Sequence, residues 1–213
     1  LVQLMTPVIK ALGTDLGYDV TNLGIQVHGG AGYIRETGVE QYVRDCRISQ
    51  IYEGTNGIQG LDLVGRKMPA NSGRKLRRLF HPLADYLAVR QADSATAANV
   101  QPLAKAFGRL QTATGRVAER GLKDPEEAGA AATDLLRLMG LVALGYMWAQ
   151  AAEIAQDKAG TDADPDGFYA AKLATARFFM EKVLPETGTL TSRIMSGKQA
   201  VTDVPESAFA VPA

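Results

Sequence analysis

Residues 135–148, Leu-Leu-Arg-Leu-Met-Gly-Leu-Val-Ala-Leu-Gly-Tyr-Met-Trp, are apolar nearly all round, with Arg137 as the single charge. A helix with no polar face must be covered on several sides, by lipid or by other helices. A bilayer span needs roughly 20 such residues, and Arg137 interrupts this run, so the reading is a central bundle helix and not a membrane span. The covering stripes can be read from the neighbouring sequence. Leu76, Leu79, Leu83 and Leu87 form one; Leu103, Phe107, Leu110 and Val117 a second; Leu173, Ala176, Phe179 and Val183 a third. Helices are therefore expected at about 75–95, 98–122, 125–159 and 167–184, the third opened by Asp124-Pro125-Glu126-Glu127, a cap followed by Pro and acids in the first turn. Nothing alternates as a sheet requires, and the chain reads as all-α.

The first third has a different texture. Eleven of the 22 glycines fall in residues 1–65. Residues 1–27 read as helix, with Leu1, Met5, Val8, Ile9, Leu12 and Leu16, then Val20, Leu23 and Val27, on one stripe. Gly29-Gly30-Ala31-Gly32 stops it. Val39, Tyr42, Val43 and Cys46 mark a short second helix, and Thr55 or Asn56 can cap a third through Ile58, Leu61, Leu63 and Val64. Met68 to Gly73 is a linker by composition. The expected division is residues 1–68 and residues 69–213, the latter an antiparallel helical bundle. The start, Leu-Val-Gln-Leu-Met, has no basic segment followed by an apolar run. It reads as the middle of a helix in a longer chain, with the cytoplasm as the expected compartment.

Composition narrows the function. Lys+Arg and Asp+Glu are both 23, a balance that argues against a dedicated nucleic-acid binder. Cys46 alone can build neither an internal disulfide nor a cysteine metal site. His28 and His81, isolated from each other, make no metal site either. Six bases stand in residues 66–78 without an acid, and nine acids against two bases in residues 124–166. They are read as solvated faces or as partners for each other. Asp162, Asp164 and Asp166 match the start of a calcium loop, but the twelfth residue is Leu173 where a bidentate Glu is needed, so the reading is an acidic helix cap and no metal is expected.

Two segments carry candidate chemistry. Glu53 lies between Tyr52 and Gly54, after Ile51. A carboxylate in a partly apolar pocket has its pKa raised and serves as a base near neutral pH; the same residue can equally be a turn Glu capping the next helix. Gly29-Gly30-Ala31-Gly32 resembles a phosphate loop, but a helix precedes it and Arg35 stands where the dinucleotide fingerprint has its third glycine. It is either a backbone approach to a cofactor or a helix C-cap with a tight turn.

Gln26-Val-His-Gly-Gly-Ala-Gly-Tyr-Ile-Arg-Glu36, then Val39-Glu-Gln-Tyr-Val-Arg-Asp-Cys-Arg-Ile48, then Ile51-Tyr-Glu-Gly-Thr55, closely resembles the C-terminal part of the acyl-CoA dehydrogenases. The continuation from Thr55 to Met68 looks like a subgroup with an extra C-terminal helical domain, which includes the 3-methylmercaptopropionyl-CoA dehydrogenases. Phe168 to Phe179 and Leu184-Pro185-Glu186 look like the last helix of that extension. The resemblance implies a fold in which this chain is the end of the family's C-terminal helical domain plus the extension. It implies that Glu53 is the base for α,β-dehydrogenation of an acyl-CoA thioester, with the β-hydride passing to FAD. Gly54 then matches a backbone contact with substrate. Thr55, Asn56 and Gly57 match a segment touching FAD, and Gln26, Val27, His28, Gly29 and Gly30 a segment reaching the FAD of a neighbouring subunit. A homo-oligomer, an electron-transferring flavoprotein as acceptor and a place in fatty acid metabolism are implied as well. The rival expectation is a non-catalytic helical scaffold or oligomerisation module, or a DNA-associated relative of the same fold.

Overall fold

One helix organises the molecule. In the computed structural model, which describes residues 1–90, 93 and 96–209, α7 (Pro125–Gln156) runs through the centre. Asp124 caps it by accepting the Glu126 amide at 3.0 Å. Leu135, Leu138, Met139, Leu141 and Val142 are wholly buried, so the apolar run is covered by protein over its first two turns, as expected, while Met147 near its end is exposed. By length and composition α7 would also pass for a membrane span, but its apolar residues are spent on packing. No strand occurs among the described residues.

The cover comes from both parts of the chain. From the N-terminal part come α1 (Val2–His28) and α4 (Asn56–Asp62, continued by a wider π-type turn to Lys67). From the C-terminal part come α5 (Arg74–Arg90), α6 (Ala97–Lys123) and α8 (Phe168–Phe178, continued by a π-type turn to Val183). The three stripes read from the sequence face α7: Leu83, Leu103, Leu110 and Ala176 are fully buried, and Leu76, Leu87 and Val183 pack at the edges. The helix expected over 75–95 is observed to Arg90; residues 91, 92, 94 and 95 lie outside the described residues.

Two glycines set how closely the parts meet. A Cβ on Gly140 would sit 2.4 Å from Leu12 Cδ2, and one on Gly60 would lie 3.1 Å from the backbone of Ala132 and Thr133. Leu4, Val8, Ala11, Leu63 and Met68 consequently share one core with α5, α6 and α7. Met68, expected in a linker, is buried in that core, and the turn after it holds Asn71, Ser72 and Gly73 at φ 55°, 54° and 73°.

Four expectations are corrected. The apolar stripe of α1 is buried only at its start; Ile9, Val20, Leu23 and Val27 are 62–84% exposed. Ile9 stands at the edge of the covered face, between the buried Val8 and Leu12, and Val20, Leu23 and Val27 lie beyond the turns of α1 that pack on α7. Next, residues 168–184 are not the last helix. Pro185 ends one helix and opens another, α9 (Glu186–Ser196), which buries Thr187, Leu190 and Ile194, and the short α10 (Gln199–Thr202) follows. Third, of the readings given for the charged blocks, pairing within the chain is not found: the bases of 66–78 do not pair with the acids of 124–166 among the described residues. Arg66 and Lys67 pair with Asp62, their own neighbour. The acids of α7 and its cap go to bases packed beside them: Glu153 to Arg90 and Asp134 to Arg193 on neighbouring helices, and Asp124 and Glu126 to Lys198 in the bend after α9. Last, Trp148, expected to be buried as the end of the covered run, is half-buried, with Lys172 Nζ 5.4 Å from the ring centroid.

The Asp162–Asp166 turn is a helix cap, as read. Asp164 accepts the amides of Tyr169 (2.8 Å), Ala170 (3.0 Å) and Gly160 (3.4 Å). Burial pushes its carboxyl up, but these donors outweigh that and leave it below the usual carboxylate range.

The α5–α7 contact carries a pH signature. Arg90 grips Glu153 with two hydrogen bonds of 2.7 and 2.6 Å, and Tyr86 donates to the same carboxylate at 3.2 Å. Burial, reinforced by the Glu153 charge, pushes the Tyr86 phenol up to about 12. A raised folded-state pKa means a contribution complete below the unfolded value near 10 and lost as pH climbs towards 12. Tyr86→Phe should therefore cost about 1 kcal/mol at pH 8, and the gap to wild type should narrow by pH 11. Urea midpoints at the two pH values measure this; a gap of constant size would refute it.

Candidate active site

Between α3 (Val39–Arg47, followed by a 3-10 turn Ile48–Gln50) and α4, the chain makes a turn that the sequence does not find easy. Glu53 has φ 54° and Gly54 φ 84°, both left-handed. Only glycine takes that region without steric cost, so Gly54 is at home there and Glu53 is not. The strain is held from outside. Lys10 Nζ donates to the Gly54 carbonyl at 2.8 Å, and Gln59 Nε2 to the Glu53 and Gly54 carbonyls at 3.1 and 3.3 Å. Thr55 caps α4, its hydroxyl accepting the Ile58 amide at 3.5 Å.

Asn56 turns inward. Its Nδ2 donates to Asp15 Oδ1 (2.7 Å), Thr14 Oγ1 (3.0 Å) and the Ala11 carbonyl (3.2 Å), and its Oδ1 accepts from Lys10 at 2.8 Å. Gln50 Nε2 donates to the same Asp15 oxygen at 2.7 Å. The Asn56 side chain is thus committed to α1, leaving its backbone for any cofactor. Lys10, Thr14, Asp15, Gln50 and Gln59 were not among the residues singled out from the sequence. The available signal was three polar residues, Lys10, Thr14 and Asp15, interrupting one apolar helix.

The Glu53 carboxylate is exposed, as are Ile51, Tyr52 and Ile58 around it. The apolar pocket expected around this carboxylate is not closed by the described residues, which supply one edge of apolar side chains.

Gln26, Val27, His28, Gly29 and Gly30 form the exposed end of α1. His28 Nδ1 bonds to the Gly24 carbonyl at 2.9 Å. Gly29 takes φ 61° to break the helix, and α2 (Gly30–Tyr33) folds back so closely that a Cβ on Gly32 would meet the Ile25 carbonyl at 2.6 Å. A helix C-cap with a tight turn is what this segment builds. From Asp15 to Gln26 is eleven residues, about 17 Å along the helix, so the end of α1 and the Glu53 turn do not form one site within a single chain. Along that stretch α3 lies in a groove left by small residues, with Cys46 Sγ 3.4 Å from the Cβ position of Gly17 and Val39 3.7 Å from that of Gly24. No cluster of three or more metal-ligating residues occurs among the described residues.

Comparison with known proteins gives this geometry a context. The family described as acyl-CoA dehydrogenase, C-terminal domain, matches residues 3–69, and that described as acetyl-CoA dehydrogenase C-terminal like matches residues 79–205. The chain belongs to the acyl-CoA dehydrogenase family. It is 35% identical to 3-methylmercaptopropionyl-CoA dehydrogenase of Ruegeria pomeroyi, over 91% of this chain and 33% of that protein. It is 30% identical to a butyryl-CoA dehydrogenase of Syntrophomonas wolfei and 27% identical to the broad-specificity linear acyl-CoA dehydrogenase FadE5 of Mycobacterium tuberculosis, covering 98% and 97% of this chain and 35% of each relative. The fold matches an acyl-CoA dehydrogenase of Bacillus anthracis, solved with FAD, at a TM-score of 0.72 and 19% identity, over 91% of this chain and 33% of that one. The chain spans about a third of the length of the curated relatives it matches.

Proposed function

We propose that the chain is the base-carrying C-terminal part of an FAD-dependent acyl-CoA dehydrogenase, with Glu53 removing the α-proton of an acyl-CoA thioester. The observation that carries this is the Glu53–Gly54 turn: a carboxylate held on strained backbone, beside an exposed apolar edge, within the family's own motif. Such strain persists where surrounding structure over-determines it, and it concentrates at functional sites. A scaffold needs neither the strain nor the clamp.

The chemistry asked of Glu53 is simple. The thioester carbonyl acidifies the α-carbon and receives the charge as the C–H bond breaks, and the carboxylate takes the proton. Gly54, without a side chain, lets the substrate lie against the backbone. FAD, when bound, supplies the electron sink for the β-hydride. Thr55, Asn56 and Gly57 offer backbone to one flavin, and Gln26, Val27, His28, Gly29 and Gly30 to that of a neighbouring subunit in a homo-oligomer. The exposed, open glycines at 29, 30 and 57 fit the edge of such a cofactor. The distance between the two segments is the reason for placing them at separate flavins. Electron-transferring flavoprotein is the proposed acceptor and the cytoplasm the proposed compartment. Residues 1–68 would belong to the dehydrogenase core, and residues 69–213 would brace it.

The deciding experiment replaces Glu53 by Gln in the full-length enzyme and asks whether turnover is lost while flavin is kept. A companion expectation concerns these 213 residues alone. They present one edge of a cofactor site, so they should purify colourless. A yellow preparation with flavin at stoichiometric level would contradict the shared-site reading.

A further inference from the structure

Lys10 is spent in an unusual way. A half-buried lysine on a helix surface ordinarily meets a carboxylate or water, yet Lys10 Nζ sits on two neutral oxygens, the Gly54 carbonyl and Asn56 Oδ1, each at 2.8 Å. The nearby carboxylate of Asp15 is used instead to hold Asn56 and Gln50. Asp15 thus orients Asn56, Asn56 orients Lys10, and Lys10 pins the carbonyl that follows Glu53. Gln59 closes the turn from the other side. The pinned peptide, Gly54–Thr55, directly follows the left-handed pair Glu53 and Gly54, of which Glu53 is the residue whose conformation is strained. Without Lys10 the Gly54 carbonyl keeps only the longer Gln59 bond of 3.3 Å, and the turn that carries the Glu53 carboxylate is less firmly held.

We infer that Lys10 is a positioning residue for Glu53: through the Gly54 carbonyl, and with Asp15 and Asn56 holding it, it fixes the direction in which the base points. This rests on the reading of Glu53 as the base. Proton abstraction needs the carboxylate within hydrogen-bond reach of the α-carbon proton, and a misplacement of about 1 Å can cost around 100-fold. Substrate affinity comes from contacts elsewhere, so the loss belongs in kcat.

The test uses the full-length flavoenzyme with Lys10→Met, Lys10→Arg, Asn56→Ala and, as reference, Glu53→Gln. Lys10→Met should lower kcat about 10- to 100-fold with KM within about 3-fold. Flavin content should be unchanged, and the isotope effect of an α-deuterated substrate should rise as proton removal becomes more limiting. Lys10→Arg should recover part of the loss. A second readout needs no activity: in the 213-residue chain, Lys10→Met should speed amide hydrogen exchange at residues 53–55 and leave residues 135–148 unchanged. If Lys10→Met fails to fold, Asn56→Ala carries the same expectations, because it removes the oxygen that holds Lys10. Wild-type kcat and isotope effect in the Lys10 and Asn56 variants, beside an inactive Glu53→Gln, would overturn the positioning role alone; so would a loss confined to KM or to flavin binding. An active Glu53→Gln would overturn the base assignment, and the positioning role with it.

Discussion

Glu53→Gln in the full-length enzyme should retain its flavin and lose α,β-dehydrogenation by several orders of magnitude. The amide is nearly isosteric with the carboxylate and sits at the surface of a turn that Lys10 and Gln59 hold through the backbone carbonyls of residues 53 and 54, so the fold has no reason to notice the change. The chemistry does. An amide cannot accept the proton, and removal of a general base costs at least ~10² to 10⁴-fold. The expected pattern is a collapse of kcat with flavin spectrum and substrate binding preserved. Retention of more than a tenth of the wild-type rate with a good acyl-CoA substrate would remove Glu53 from the role of base and reopen the scaffold reading.

What could be read in the sequence depended on how local the cause was. The centre of the molecule was legible because an all-round apolar helix has one requirement, cover, and three leucine- and phenylalanine-rich stripes supply it. α9 was not legible. Its inward face is only Thr187, Leu190 and Ile194, and Pro185 reads as a stop when it is both the end of one helix and the entry to the next. The stripe of α1 was legible as a stripe but not as a surface. Periodicity tells which residues share a face, and only the neighbours tell whether the face is covered. Val20, Leu23 and Val27 share the face and lie bare.

The candidate site divides the same way. The Tyr52-Glu53-Gly54-Thr55 turn and the Thr55 cap followed from residue types at adjacent positions. The clamp on that turn did not, because Lys10 reaches across 44 residues of sequence to the Gly54 carbonyl and Asp15 across 41 to Asn56. No local pattern announces such a contact. The ion pairs were likewise misplaced by block composition. Two oppositely charged blocks suggested each other, whereas acids of α7 found the bases that the fold packs beside them, as Arg90 shows with Glu153 and Arg193 with Asp134. Proximity, which the fold decides, outranks net charge.

Val142→Asp should unfold the chain. Val142 and its neighbours Met139 and Leu141 are fully buried in the one continuous core that α7 shares with α1, α6 and α9. A carboxylate there is surrounded by Leu, Met and Val side chains, with no described base turned towards it; Arg137, the charge nearest in sequence, is occupied by Glu186 through bonds of 2.5 and 3.0 Å. Burying such a group unpaired costs several kcal/mol, whether it stays ionised or takes up a proton. That matches much of the roughly 5–15 kcal/mol by which a domain is stable. The same substitution at Val89, which lies 77% exposed on α5, should be tolerated within about 0.5 kcal/mol. Helical circular dichroism during urea titration distinguishes the two. Because the core runs unbroken from Leu4 and Leu63 into α6 and α9, loss of helix in Val142→Asp should also take residues 1–68 with it, in one transition. Two separate transitions, or a Val142→Asp chain as stable as Val89→Asp, would show that α7 is not the element on which both parts depend.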